Sequence, residues 1–523
     1  MFYQTMRSTS LSRRLAGIVR EQRVKRKIVP FGEWLPDRAD FANPGATEAL
    51  NVIPTADGYR PFPALSAVSS NALTARCQGA IASTDNSGNV YLYAGDASKL
   101  YRQAPDLTLT DVSKSGGYAI AADGFWEGAQ FGTQVLMTDY DDAVQEITVG
   151  ASDTFADLIT STDKPKARHI AVVGNFVVLG WTNDTTDGER PGRVWWCGLN
   201  ASTGNGNPAD FTPAASTQCD FQDIPDAGGV QKIIGGADYG LIVMERGIYR
   251  MTYVGSPLVF RFDPIERSRG TPFPGSVIGL GRLAFYISEE GIFATDGIQS
   301  IPIGNAKVDK WLWDQLDTVY RSRLSSAVDP VNKLVLWGFP GTGATSGNPN
   351  TILIYNWAEK KFSYVSANHE IIFRAQSQGY TLDTLDTFST DLDALPFSLD
   401  SRAWTGGELT IGAFNTSHVY GTFTGANLAA TIETSEFQPH QGYSDIQHSR
   451  PLIDGGTITA ALASRNALTD TVTFGTARSM ITDGECPTVG NGRYHRLRAS
   501  IAASGTWTHA QGMEVASVAA GVP

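Results

Sequence analysis

The chain has 523 residues, 42% hydrophobic and 18% charged, with 54 Gly and 25 Pro; that composition suits a large core with many tight turns and excludes a disordered chain. No run of about 18 uncharged apolar residues occurs, so no membrane span is expected, and the Arg-rich start lacks the continuous apolar stretch of a secretory signal. Charge is uneven: eight basic residues stand between Arg7 and Lys27 against one acid, Glu21, so this segment carries +7 and leaves −19 on the rest of a chain of net charge −12.

Residues 1–30 read as a basic N-terminal arm. Leu11, Leu15, Ile18 and Val19 fall on one helical face, Ser12 is a candidate N-cap, and Pro30 ends whatever forms there. Arg13, Arg14, Arg20, Arg23, Lys25, Arg26 and Lys27 are the candidate contacts to DNA phosphates or to an acidic neighbouring subunit, against the plainer reading of a solvated tail. Residues 31–64, dense in Pro, Gly and aromatics, read as an extended lead-in segment pinned by burial of Phe31, Trp34, Phe41, Tyr59 and Phe62.

From residue 65 onward, short apolar stretches pair across polar turns. Residues 89–93 precede 100–102, residues 134–138 precede 144–149, and residues 169–173 precede 175–181 with Gly174 at the bend; each reads as a hairpin. The clearest echo follows. Residues 240–244 lead to Gly247-Ile248-Tyr249, and 283–287 lead to Gly291-Ile292-Phe293. The two glycines are 44 residues apart, within the roughly 40–50 of a propeller blade. A third set lies at 333–338, 351–357 and 361–365. Between sets, residues 306–324 put Val308, Trp311, Leu312, Leu316, Val319, Tyr320 and Leu324 at helical spacing after Asn305, which predicts an amphipathic helix inserted between blades. Residues 377–405 are polar and acidic and read as a long surface loop or linker. Strand-like stretches resume after Glu408 and suggest a second β unit of sandwich type, or a terminal blade with closing strands.

Motifs that carry chemistry are sparse. Asp139-Tyr140-Asp141-Asp142 lacks the glycine and distal Glu of a calcium loop and reads as a hairpin turn with solvated acids. Gly341 to Gly347 resembles a phosphate loop but has no following Lys or helix, so it reads as a loop tip. Ser161 and Lys164 have S-x-x-K spacing without a partner motif. His440 and His448 flank a turn without metal spacing. Cys77, Cys197, Cys219 and Cys486 show no C-x-x-C spacing, which points to reduced, buried thiols. No catalytic, cofactor-binding or metal-binding residue is predicted, and an enzyme is not expected.

The motifs Phe31-Gly-Glu-Trp-Leu-Pro36, Asn51-Val-Ile-Pro54 and Gly58-Tyr-Arg-Pro-Phe-Pro63 resemble the opening of tail hub proteins of short-tailed bacteriophages, the packaged-DNA-stabilisation or nozzle type. Ala64 stands where that family has Gly. Glu245-Arg-Gly-Ile-Tyr-Arg250, the stretch from Gly291 to Gly297 with the segment after Lys307, Gly492-Arg-Tyr-His-Arg496 and the stretch from Gly505 to Gly512 extend the resemblance over most of residues 31–515. It implies a β-propeller protomer in a six-fold ring beneath the portal and adaptor. Such a ring retains packaged DNA, forms the ejection channel and anchors fibres or spikes, without catalytic residues.

The expectation is therefore an all-β chain: a β-propeller of six to eight blades at 65–400 with an inserted helix, behind the basic arm (1–30) and the lead-in (31–64). A C-terminal β-sandwich-like unit or closing blade follows at 401–523. The expected role is a structural virion protein of the tail, assembled in the host bacterial cytoplasm. Its expected partners are copies of itself, portal and adaptor proteins, tail fibres or spikes, and viral DNA passing a channel whose wall is net negative. A receptor-binding tail fibre or spike protein is the alternative, and a propeller-type glycoside hydrolase a more distant one.

Overall fold

The 44-residue interval between Gly247 and Gly291 is the repeat of one blade. The computed structural model describes residues 24–521 apart from 42, 105–106, 152, 160–164, 201 and 378–406. In it Tyr239–Met244 and Ile248–Gly255 belong to one four-stranded antiparallel sheet, and Leu283–Ser288 and Gly291–Thr295 to the next. The protein is an all-β propeller, with seven blades among the described residues. The innermost strands, from blade one to blade seven, are Gly79–Thr84, Glu127–Phe131, Lys166–Val173, Val230–Ile234, Ile278–Leu280, Ser325–Asp329 and Ile371–Gln376. The three hairpins expected between residues 89 and 181 are present, in blades one, two and three. Middle strands such as Leu334–Phe339 and Thr351–Asn356 are buried at every position, as expected for strands covered on both faces.

Closure of the propeller draws on a segment outside the repeat. Ser66–Ala72, which precedes blade one, pairs antiparallel with Val419–Thr422 and supplies the outer strand of blade seven. Joining the two ends of the repeat in one sheet leaves blade seven no open slot at which the ring could part. The propeller therefore runs from Ser66 to Thr422, beyond the boundary expected near 400. Residues 378–406 lie outside the described residues, but Ile371–Gln376 and Leu409–Phe414 on either side pair with each other. That insertion interrupts one blade and is not a linker between units.

The last hundred residues form a β-sandwich, and the first forty described residues complete it. One sheet runs in the order Val52–Pro54, Tyr59–Pro61, Ala510–Ala519, Ser444–Ile453, Gly490–Gly492, with Lys25–Pro30 also on Ala510–Ala519. The facing sheet contains Glu48–Leu50, Ala430–Glu433, Tyr494–Ile501, Ile458–Arg465 and Arg478–Ser479. Tyr494–Ile501 alternates half-buried and buried residues along its length, the signature of a strand with one face on a core. The arm and lead-in are thus not separate from the C-terminal unit, because their strands find their partners hundreds of residues away. Phe31, Trp34, Tyr59 and Phe62 are buried as expected, whereas Phe41 is exposed, its ring set T-shaped against Tyr494.

Sandwich and propeller share a core. Glu48–Leu50 lies parallel to Lys361–Ser366, the outer strand of blade six, through Leu50 and Tyr364, which merges that blade with the sandwich into one nine-stranded sheet. A single apolar cluster includes Phe285 and Ile292 of blade five, Trp337 and Phe362 of blade six, and Ile432, Leu497 and Val515 of the sandwich. At the seam the rings of Trp34, Trp311 and Tyr364 stand 4.8–5.1 Å apart.

The inserted helix is shorter than its spacing predicted. It spans Asp309–Gln315, and residues Thr318–Arg323 form a 3-10 turn instead. Asp317 stops it: its carboxylate accepts from the amide of Val319, a local bond that competes with helical continuation, and Val319 ends up 80% exposed. The start is set not by Asn305 but by Asp37 of the lead-in, whose carboxylate accepts from the amides of Lys310 and Trp311 at 2.8 Å.

Candidate functional surfaces: the N-terminal edge, the axis and the polar face

Three of the seven cations singled out in the sequence lie on Lys25–Pro30; Arg13, Arg14, Arg20 and Arg23 lie outside the described residues. The strand runs antiparallel to Ala510–Ala519 from Lys25 opposite Ser517 to Pro30 opposite Gly512. Arg26 is held within the molecule, 3.1 Å from both Glu485 and Glu514. Lys25 and Lys27 are exposed on the same strand, beside exposed Val24 and Ile28. The structure thus splits the group: one cation is neutralised in place and two face solvent.

The innermost strands bring together residues the sequence did not single out. Glu127 of blade two, His169 of blade three and Lys232 of blade four meet beside the axis, with Glu127 Oε2 2.9 Å from His169 Nδ1 and 3.1 Å from Lys232 Nζ. Burial pushes the Glu127 carboxyl up, but Lys232 and His169 together hold it below its ordinary range. Burial pushes the His169 imidazole down, against Glu127. A second pair sits at blade seven: Glu370 accepts from His418 Nδ1 at 2.5 Å and from the amide of Cys77 at 2.9 Å. These carboxylates and imidazoles bond each other or the backbone. Their common signal is position: Glu127 and His169 are 42 residues apart, close to one blade repeat, a regularity visible only once the repeat is placed.

The loops joining second to third strands, and one blade to the next, form a polar face with a bowl of about 1050 Å³. Asp139, Asp141, Arg168, Trp181, Glu245, Arg246, Arg269 and Glu290 are among its lining. The Asp139 to Asp142 segment is a hairpin turn as expected, closed by the amide of Asp142 on Asp139 Oδ1. Its acids are not all solvated, however: Asp139 is 4% exposed, and burial pushes its carboxyl up to about 6. Asp142 bonds Lys114 at 2.8 Å. The Arg168 guanidinium lies between the Tyr140 and Trp181 rings, 5.0 and 4.1 Å from their centres.

The remaining motifs fall apart as sites. His440 contacts Ser517 and His448 contacts Glu485. The stretch from Gly341 to Gly347 joins two strands of blade six, with Gly343 and Gly347 at φ of 82° and 72°. All four cysteines are buried. Ser161 and Lys164 lie outside the described residues. Among the described residues no cluster of three or more metal-ligating side chains occurs, and no helix is long and apolar enough to cross a membrane.

No family model matches the chain, and no curated protein is detectably similar to it. Among solved structures it is similar to "YCF48 bound to D1 peptide", with 12% sequence identity over 69% of this chain and 97% of that one, at a TM-score of 0.35.

Proposed function

We propose that the chain is a structural virion protein, a protomer of the hub or nozzle ring of a bacteriophage tail that retains packaged DNA and anchors tail appendages. Two kinds of support combine. The opening motifs resemble that family, and propeller and sandwich share one apolar core, which suits a ring subunit under load.

The observation that carries the reading is an apolar rim on two neighbouring blades. Leu258 joins the last two strands of blade four and is 71% exposed, while Ile298 joins the last two of blade five and is 73% exposed. Both turns lie at the same end of their blades, since both link third to fourth strands. Tyr253, Val254 and Ile301 beside them are 46%, 46% and 51% exposed. Exposed apolar side chains gathered at one end of neighbouring blades suit a contact between protomers. A self-complementary ring would cover them. In this reading the DNA channel runs between protomers, because the axial cavity of one propeller, about 400 Å³, has the size of a small-molecule pocket.

Particles assembled without this protein test the role. Heads that package and then lose their genome are the expected result; full, stable particles that merely fail to adsorb would favour a receptor-binding fibre instead. Leu258→Asp with Ile298→Asp is expected to convert a ring to monomers in sedimentation, with the thermal midpoint unchanged.

A further inference from the structure

The axial cavity carries an excess of positive charge in a chain that is acidic overall. Four cations line it, Arg76, Lys232, Arg323 and Arg374, against two carboxylates, Glu127 and Glu370. Both carboxylates already have partners, Glu127 in His169 and Lys232, Glu370 in His418 and the Cys77 amide. The three guanidiniums do not pair with either. Arg76 donates to the carbonyls of Ala122 at 2.8 Å and Cys77 at 3.3 Å. Arg323 donates to the Ser346 carbonyl at 2.6 Å, and its Nε is buried without an acceptor. Arg374 is exposed to the cavity from the innermost strand of blade seven and has no ion-pair partner among the described residues. Burial, and after it the charge of Arg323, push the Arg76 pKa below its ordinary value.

Like charges gathered around one cavity repel unless something opposite in sign completes them. Planar guanidinium forks match the oxygens of a tetrahedral oxyanion two at a time, which a single ammonium cannot do. A cavity of about 400 Å³ lies in the range of small-ligand pockets.

We propose that the propeller axis is a binding site for a small oxyanion of the phosphate class, held by Arg76, Arg323 and Arg374. The inference stands apart from the ring reading, since the cavity lies within one protomer. Lys232 completes the positive wall, its ammonium held by Glu127. A bound oxyanion would tie blades one, six and seven together at the axis, the blades that meet where the propeller closes.

Titration calorimetry and thermal unfolding of the full chain with inorganic phosphate, against chloride at matched ionic strength, test the proposal. Saturable heat and a midpoint that rises with phosphate are expected. Arg374→Gln is expected to weaken binding at least tenfold while leaving the phosphate-free midpoint unchanged, because the Arg374 side chain bonds no other described residue; Arg76→Gln is expected to weaken it further. Phosphate acting no differently from chloride, or binding equally well to Arg374→Gln and Arg76→Gln, overturns the site. Citrate binding more tightly than phosphate, with the same arginine dependence, overturns the phosphate class.

Discussion

The seam between sandwich and propeller and the propeller axis are both places where distant segments meet, and they are built on opposite terms. At the seam, Trp34, Trp311 and Tyr364 interlock, and the charges beside them are matched: Glu33 with Lys307 at 2.6 Å, and Glu433 with Arg496 at 3.2 Å and Arg498 at 2.5 Å. At the axis the wall mixes apolar and charged side chains, the space is open, and cations outnumber acids. Apolar burial with completed ion pairs serves stability; unmatched cations around a cavity do not, so the sequence keeps them for another reason. The difference separates residues that hold the fold from residues free to act.

The largest expected effect sharpens that contrast. Trp34 is 1% exposed, so Trp34→Ala is expected to cost about 3–5 kcal/mol and to lower the calorimetric midpoint of propeller and sandwich together. Two separate transitions, with only the sandwich affected, would mean that the units do not share one core.

Next comes pH. Burial pushes His369, beside blade seven, and His495, in the sandwich, from 6.5 down to about 4. Between those values the unfolded chain takes up protons that the folded chain refuses. Stability is therefore full above pH 6.5 and falls as pH drops toward 4, by up to about 3 kcal/mol for each histidine. Urea unfolding at pH 7 and pH 4.5 measures the loss, and His495→Gln is expected to make it clearly smaller without abolishing it, since His369 and His169 are pushed down as well. A slope unchanged by that substitution would break the assignment.

The smallest effect belongs to the polar face. Asp139 has a folded pKa raised from 3.8 to about 6 by burial, so the folded state favours its protonated form. Its contribution is fullest below pH 3.8 and is lost as pH rises through 6. Asp139→Asn is expected to stabilise the protein by about 1 kcal/mol at pH 7.5 and not at pH 3.5. Equal effects at both pH values would show that its charge is not what matters.

Much of the propeller was legible because a blade is local: hairpins such as 134–149 and the interval from Gly247 to Gly291 are written in contiguous residues. What was not legible depends on pairing across the chain. Ser66–Ala72 is mostly small and polar and mostly exposed or half-buried, so it has no strong strand pattern of its own and becomes the closing strand only beside Val419–Thr422. Lys25–Pro30 read as the end of a basic arm because its partner lies nearly five hundred residues away. The helix was over-read because apolar spacing continued past Asp317, where one side-chain hydrogen bond outweighed it. The axial cluster was missed because Glu127, His169 and Lys232 each come from a different blade and form no motif in the sequence.

Single-particle imaging of the purified chain bears most directly on the proposed role. The account expects closed rings of six protomers around an open channel, with Leu258 and Ile298 of each protomer covered by its neighbour. Isolated propellers with that rim bare at high concentration, or an elongated trimer, would contradict it.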